Sequence, residues 1–214
     1  MTAPRRRRAN GEASRQRILD AAAEIAGERG YDGTSITLVS ERSGLPASSI
    51  YWHFSDKDDL LSAVIDRSFG HWRERLAGSA ADAPTDDGDE HFRHRLRATG
   101  RALADFPDFL RLGLMLILDR RPDEPTARAR FIAARTATAA GVGRGYVTAF
   151  PDLDAEARAS LVTLTMALAD GLFIAGEVDH IDVDRAFELM ATAILATAER
   201  LRDASARIET ATPS

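Results

Sequence analysis

Apolar positions recur at helical spacing along almost the whole chain. Ile18, Ala22, Ile25 and Ala26 predict a first helix over about 13–29, with Ser14 as a cap near its start and Gly30 at its left-handed end. After a turn at Tyr31-Asp32-Gly33, Ser35 is placed to cap a short helix over 36–43, buried through Ile36 and Val39. Gly44-Leu45 breaks it, and Pro46 opens a third short helix reaching about Trp52, with Leu45 and Ile50 facing inward. Ser55 or Asp56 then caps a longer helix to about residue 77, with Leu60, Leu61, Val64, Ile65, Phe69 and Trp72 on its apolar side. At 1.5 Å per residue it spans roughly 33 Å, enough to leave one domain and enter another.

From 78 to 89 the chain turns to Gly, Ala, Pro, Thr and Asp, which predicts a flexible loop. Five further helices follow over about 90–105, 108–119, 125–148, 153–176 and 182–204, with Pro107, Pro122, Pro125 and Pro151 at the breaks. No alternating run is long enough for a sheet, and no internal repeat is visible. The predicted fold class is all-α. The expected domains are residues 1–55, an N-terminal arm and three-helix head, and residues 56–214, a helical body.

The chain has 214 residues, 44% hydrophobic and 29% charged, the composition of a folded globular protein. No apolar run approaches the ~18 residues of a membrane helix, and the basic N-terminus leads into a polar stretch rather than a signal-peptide core. A cytoplasmic protein with no membrane partner is expected. Cysteine is absent, which excludes disulfides, thiolate zinc sites and thiol catalysis. Net charge is -5, but residues 1–57 carry nine Lys/Arg against seven Asp/Glu, and six of those cations lie within the first 17 residues. This is either a solvated tail or a DNA-reading head on an acidic body.

The segment Thr34 to Leu61, TSITLVSERSGLPASSIYWHFSDKDDLL, decides between them. Two short helices joined by a glycine-containing turn, packed on a preceding amphipathic helix, form the layout of a helix-turn-helix, whose second helix enters the major groove. Ala47, Ser48 and Ser49 are small, so the backbone can approach base edges, and both serines can hydrogen-bond to bases or phosphates. Tyr51, Trp52 and His53 follow, three hydrogen-bonding aromatics suited to clamping phosphates. The alternative for Tyr51, Trp52 and Phe54 is a place in the core. Lys57, the single lysine beside 27 arginines, stands at a helix N-terminus where the macrodipole disfavours a cation. A phosphate bound there would compensate.

This segment resembles the signature of the TetR family of one-component repressors. That signature has a Thr-rich helix start, an A-x-x-x-G-V-S-like turn, a short helix ending L-Y-x-H-F and an S-K-x-x-L-like start. The chain reads S-E-R-S-G-L-P-A-S-S-I-Y-W-H-F-S-D-K-D-D-L, and the likeness spans about residues 13–62. The resemblance implies base or phosphate contacts at Thr37, Ala47, Ser48 and Ser49, and phosphate contacts at Ser35, Tyr51, His53 and Lys57. It also implies a homodimer on a pseudo-palindromic double-stranded operator, with heads about one helical turn (~34 Å) or somewhat more apart, released by a small-molecule effector. Two departures matter. Pro46 stands where a Ser or Thr usually caps the recognition helix, and the Ala-Ser-Ser tip lacks a bidentate Arg or Gln. Part of the readout would then fall to DNA shape, with the arginine arm in a minor groove.

In the last two helices, Leu164, Leu168 and Leu172, and Phe187, Met190, Ile194 and Leu201, recur at spacings of three and four. These stripes face either a twin subunit, as the resemblance implies, or their own core. Phe92, Phe106, Phe109, Met115, Phe131, Tyr146, Met166 and Phe173 are candidates for lining an effector pocket, or for plain core, and an uncharged, mostly apolar effector is favoured.

Catalysis is set aside. The pairs Asp58-Asp59 and Asp86-Asp87 read as solvated acids, and His91 and His94 lack a third metal ligand nearby. Gly141 to Gly145 follows an apparent helix rather than a strand, so it is no phosphate loop. No cofactor and no metal are expected. A transcriptional activator, or a helical small-molecule binder, remains the alternative.

Overall fold

The computed structural model describes residues 3–79, 88–118 and 125–211, with side chains over 10–79, 88–118 and 125–204. Every regular element among the described residues is a helix: α1 (Ala3–Gly33), α2 (Ile36–Ser43), α3 (Ala47–His53), α4 (Lys57–Ser79), α5 (Gly88–Asp105), α6 (Asp108–Leu118), α7 (Thr126–Ala149), α8 (Ala155–Asp179) and α9 (Val183–Ala211). The all-α expectation holds. Residues 80–87, within the expected loop, together with Asp86-Asp87 and Pro122, lie outside the described residues.

Several boundaries differ from the sequence reading, α9 running on to Ala211 among them, and two differ for local reasons. Ser14 does not cap α1. The helical backbone starts ten residues earlier, and the Ser14 hydroxyl donates back to the Asn10 carbonyl at 2.9 Å, as serine does inside a helix. Nothing in the arginine run opposes helix, since arginine is a good former and Pro4 sits in the first turn, where proline is tolerated. The expected arm is therefore helical in backbone. At the other end, Gly176 does not stop α8, which continues until His180 takes up a left-handed φ of 52°.

The contacts divide the chain into two compact units that do not follow the expected 55/56 boundary. The first comprises residues 1–71 and 106–134, because α6 and the start of α7 pack with the N-terminal helices. Its core joins Ile18, Leu19 and Ile25 of α1 to Val39, Ile50, Phe54, Leu60, Leu61 and Ile65, all at most 2% exposed. Ile36 and Leu45 are only half-buried. Phe131 closes over Gly113, where an added Cβ would fall on its ring.

The second unit comprises residues 72–105 and 135–214, in which α9 packs against α5 and α8. Here the structure corrects the dimer stripe. Phe187, Met190 and Ile194 are at most 3% exposed and belong to the unit's own core, with Phe187 seated on Gly100. Spacing identifies a face that must be buried but not its partner. Leu164, Leu168, Leu172 and Leu201 are half-buried, while Ile174, Val178 and Leu189 are 47%, 69% and 62% exposed. One helix among the described residues, α8, is nonetheless long and apolar enough on average to cross a membrane. An 18-residue window of α8 averages 1.6, with 11% of it buried. Thr163, Thr165 and Asp170 interrupt any continuous apolar run there while leaving the average high.

Candidate nucleic-acid interface and ligand cavity

The α2–α3 turn is built by local hydrogen bonds. Ser35, in extended backbone, accepts from the Leu38 N–H at 3.2 Å and caps α2. Gly44 ends α2 in the left-handed region at φ 66°, which a side chain would resist. The Ser40 hydroxyl donates to the Leu45 carbonyl at 2.7 Å, and Arg17 of α1 donates to the Ser43 carbonyl at 2.5 Å. Pro46 flanks α3 with no side-chain cap, and the Ser49 N–H bonds its carbonyl at 2.8 Å. The missing cap expected from sequence is real, and the proline's preset φ of -64° supplies order instead.

With Ile50 as the buried anchor, α3 turns Ser48, Tyr51 and Trp52 outward. Trp52 is 75% exposed and Tyr51 57%, so the alternative of core aromatics fails for both and holds for Phe54. Thr37 is exposed, and Ser35, Ala47, Ser49 and His53 are half-buried on the same stretch. The Trp52 and His53 rings meet edge-on at 4.5 Å. Burial, helped by the Arg15 charge, holds the His53 imidazole below its usual pKa, so it is neutral near pH 7. Arg15 lies 5.2 Å over the Phe54 ring. Sequence reasoning counted Arg15 and Arg17 only as charge; that they reach α3 and its turn is a consequence of how α1 packs.

Lys57 is held within the protein. Its ammonium donates to the Tyr31 carbonyl at 3.1 Å and sits 4.4 Å from the Tyr31 ring centroid, which offsets its unfavourable place at the start of α4. Asp56 is the residue that caps α4, accepting from the Asp59 N–H at 2.8 Å, while the Asp59 carboxylate accepts from the Ser55 N–H at 2.9 Å. Asp58 is not the solvated acid expected. It accepts from the Thr126 and Ala127 N–H groups at 2.6 and 3.1 Å and from the Tyr31 hydroxyl at 3.1 Å. Partial burial pushes its pKa up, but those hydrogen bonds outweigh burial and hold it below the usual carboxylate range.

In the second unit α5, α7 and α8 enclose a cavity of about 450 Å³. Phe92, Leu96, Val142 and Ala149 give it apolar wall, Thr99, Thr148, Tyr146 and Thr165 give it hydroxyls, and His91 and Arg95 give it nitrogen. The Thr165 hydroxyl donates to the Leu161 carbonyl at 2.7 Å, so in its contact with Tyr146 it is the phenol that donates. Burial pushes the Tyr146 pKa up to about 12.

Of the sequence candidates, Phe92 and Tyr146 line this cavity, and Met166 and Phe173 stand half-buried elsewhere on α8. Phe106, Phe109, Met115 and Phe131 belong to the other unit: Phe109 packs on Phe69 at 5.5 Å, Phe106 on His71 at 5.5 Å, and Met115 lies by Gly30. Among the described residues, no cluster of three metal-ligating side chains occurs.

Comparison with known proteins agrees with the geometry of α1–α3. The family described as bacterial regulatory proteins, tetR family, matches residues 18–64. The match to that family covers α2, α3 and the adjoining parts of α1 and α4. An HTH-type transcriptional repressor of Mycobacterium tuberculosis is 35% identical over 88 residues, 36% of this chain and 34% of that one. The chain thus matches about a third of the length of such curated relatives. Over 87% of this chain and 94% of its own, a TetR-like transcriptional regulator from Rhodococcus superposes with a TM-score of 0.65 at 16% identity. The fatty acid degradation regulator FadR from Bacillus halodurans does so over 85% and 94%, with a TM-score of 0.70 at 16% identity. At those identities the likeness is one of fold alone, an all-helical chain.

Proposed function

We propose that this protein is a cytoplasmic, homodimeric transcriptional repressor that reads a pseudo-palindromic operator through α3 and leaves it when a small molecule occupies the α5–α7–α8 cavity. The observation that carries the reading is the solvent-facing set of Ser48, Tyr51 and Trp52 on a helix anchored by Ile50 and a braced turn. A large aromatic that is 75% exposed contributes nothing to a core, but a phenol and an indole N–H in that place suit phosphate oxygens, while Ser48 and Ser49 suit base edges. Thr37 and Ser35 at the start of α2 extend the contact, and Lys57 keeps N–H donors beyond the one given to Tyr31.

A single seven-residue α3 buries too little for specific binding, so two heads are required. The exposed apolar side chains Ile174 and Val178 of α8 and Leu189 of α9 supply a face for the second copy. Ligand release follows if the effector favours a dimer geometry whose heads no longer match successive grooves.

Selection of bound sequences from random duplex DNA, followed by fluorescence anisotropy on the selected duplex, tests the proposal. Trp52→Ala and Ser48→Ala are expected to weaken specific binding at least tenfold without altering the fold. Wild-type protein that binds no duplex at low salt refutes it and favours a helical ligand binder.

A further inference from the structure

The arginines of α5 divide by helical phase. Arg93, Arg97 and Arg101, four apart, pair with carboxylates of α9, Arg93 with Glu188 at 2.7 Å, Arg97 with Glu188 at 2.5 Å and Arg101 with Asp184 at 2.5 Å, and Arg97 also pairs with Glu90 of α5 at 2.6 Å. His91, Arg95 and Thr99, also four apart, form the face turned to the cavity. Arg95 is solvent-exposed where it lines the cavity and has no carboxylate partner among the described residues, and no described residue lining the cavity is acidic. Its charge nonetheless reaches the interior, where it acts on the buried Tyr146 phenol. The lining is apolar at Phe92, Leu96 and Val142, and the Phe92, Tyr146 and Phe150 rings meet tilted or edge-on with centroids 5.2 to 5.9 Å apart.

A solvent-exposed guanidinium with no carboxylate partner among the described residues, beside a lining that is largely apolar and hydroxyl-bearing, favours a complementary anion. The cavity's size, about 450 Å³, lies in the lower part of the ~300–1,000 Å³ range of small-molecule pockets. We propose that it takes an amphipathic organic monocarboxylate, an aliphatic or aromatic acid. The carboxylate pairs with Arg95, and the hydrocarbon body lies on Phe92, Leu96 and Val142. This replaces the uncharged effector expected from sequence, and it rests on the cavity being the effector site. The planar guanidinium can hold both carboxylate oxygens, whereas the corresponding amide or alcohol offers the cation no charge to pair with.

The probes are decanoate and 1-naphthoate against decanamide and 1-naphthamide, titrated by calorimetry and thermal shift into the full chain, its Arg95→Gln variant and Arg144→Gln, the same charge change on an exposed position outside the lining. At least one acid is expected to bind wild type and Arg144→Gln alike, and to lose about 10- to 100-fold in Arg95→Gln. Its amide should bind weakly and equally to all three.

A cavity-filling variant, Gly145→Leu, whose Cβ would meet no atom within 4 Å, should abolish acid binding without unfolding the protein. Amides binding as well as acids, acids binding Arg95→Gln as they bind wild type, or neither acid binding wild type would each overturn the assignment. If an acid binds through Arg95 but leaves the selected duplex bound, the anion site stands and the effector reading falls.

Discussion

Asp58 joins three helices of the first unit through one carboxylate, and its removal is the most quantifiable perturbation. Asp58→Ala deletes the cap on the first turn of α7, at Thr126 and Ala127, together with the bond from the Tyr31 hydroxyl of α1. A lost carboxylate cap costs about 1–2 kcal/mol. The lost tyrosine bond adds about 0.5–1 kcal/mol, kept small because water can reach the half-buried phenol. The total is about 1.5–3 kcal/mol, or at about 2–4 °C per kcal/mol for a chain of this length a fall in Tm of about 3–12 °C.

Asp58→Asn keeps an acceptor and loses the charge, so it should fall roughly half as far. Because the folded carboxyl lies below its usual pKa, its stabilisation is complete above the unfolded value, near 4, and is lost as pH falls through the folded value. Denaturant unfolding at fixed protein concentration, at pH 7, 5, 4 and 3.5, therefore should show the gap between wild type and Asp58→Ala closing below pH 4. A gap under about 0.5 kcal/mol at pH 7, or one that widens with acid, would refute the account.

Other outcomes follow from the same coordinates. His53 is held below its usual pKa in the free protein, and nearby phosphates would raise it, so DNA binding should take up a proton and tighten as pH falls from 7 to 5.5. Anisotropy titrations on wild type and His53→Gln check this, the variant being flat with pH. Gly100→Ala sets a Cβ 2.5 Å from the Phe187 ring and should cost about 1–3 kcal/mol by overpacking, read in denaturant melts. Tyr146, pushed up to about 12, stabilises the fold fully below about pH 10 and loses that contribution as pH rises toward 12. Absorbance titration near 295 nm should show one late-ionising phenol that vanishes in Tyr146→Phe. Val178→Asp, on the exposed apolar side of α8, should convert a dimer to monomers in sedimentation at unchanged helicity.

What the sequence determined by itself was whatever depends on neighbours a few residues away. Helical period, the Ser35 cap, the left-handed Gly44 and the preset Pro46 act within one turn, so α2, the turn and α3 could be read before any coordinates, and with them the outward Ser48, Tyr51 and Trp52. Tertiary structure decided what each face meets. Phe187, Met190 and Ile194 formed a valid stripe whose partner proved to be their own unit, because periodicity encodes burial and not the burying surface. Asp58 looked like a surface acid because the helix it caps begins 68 residues further on. Arg93 and Arg95 are the same residue type two positions apart, about 200° around one helix, and only the placement of α9 on one side and a cavity on the other makes one a brace and leaves the other with no carboxylate partner among the described residues.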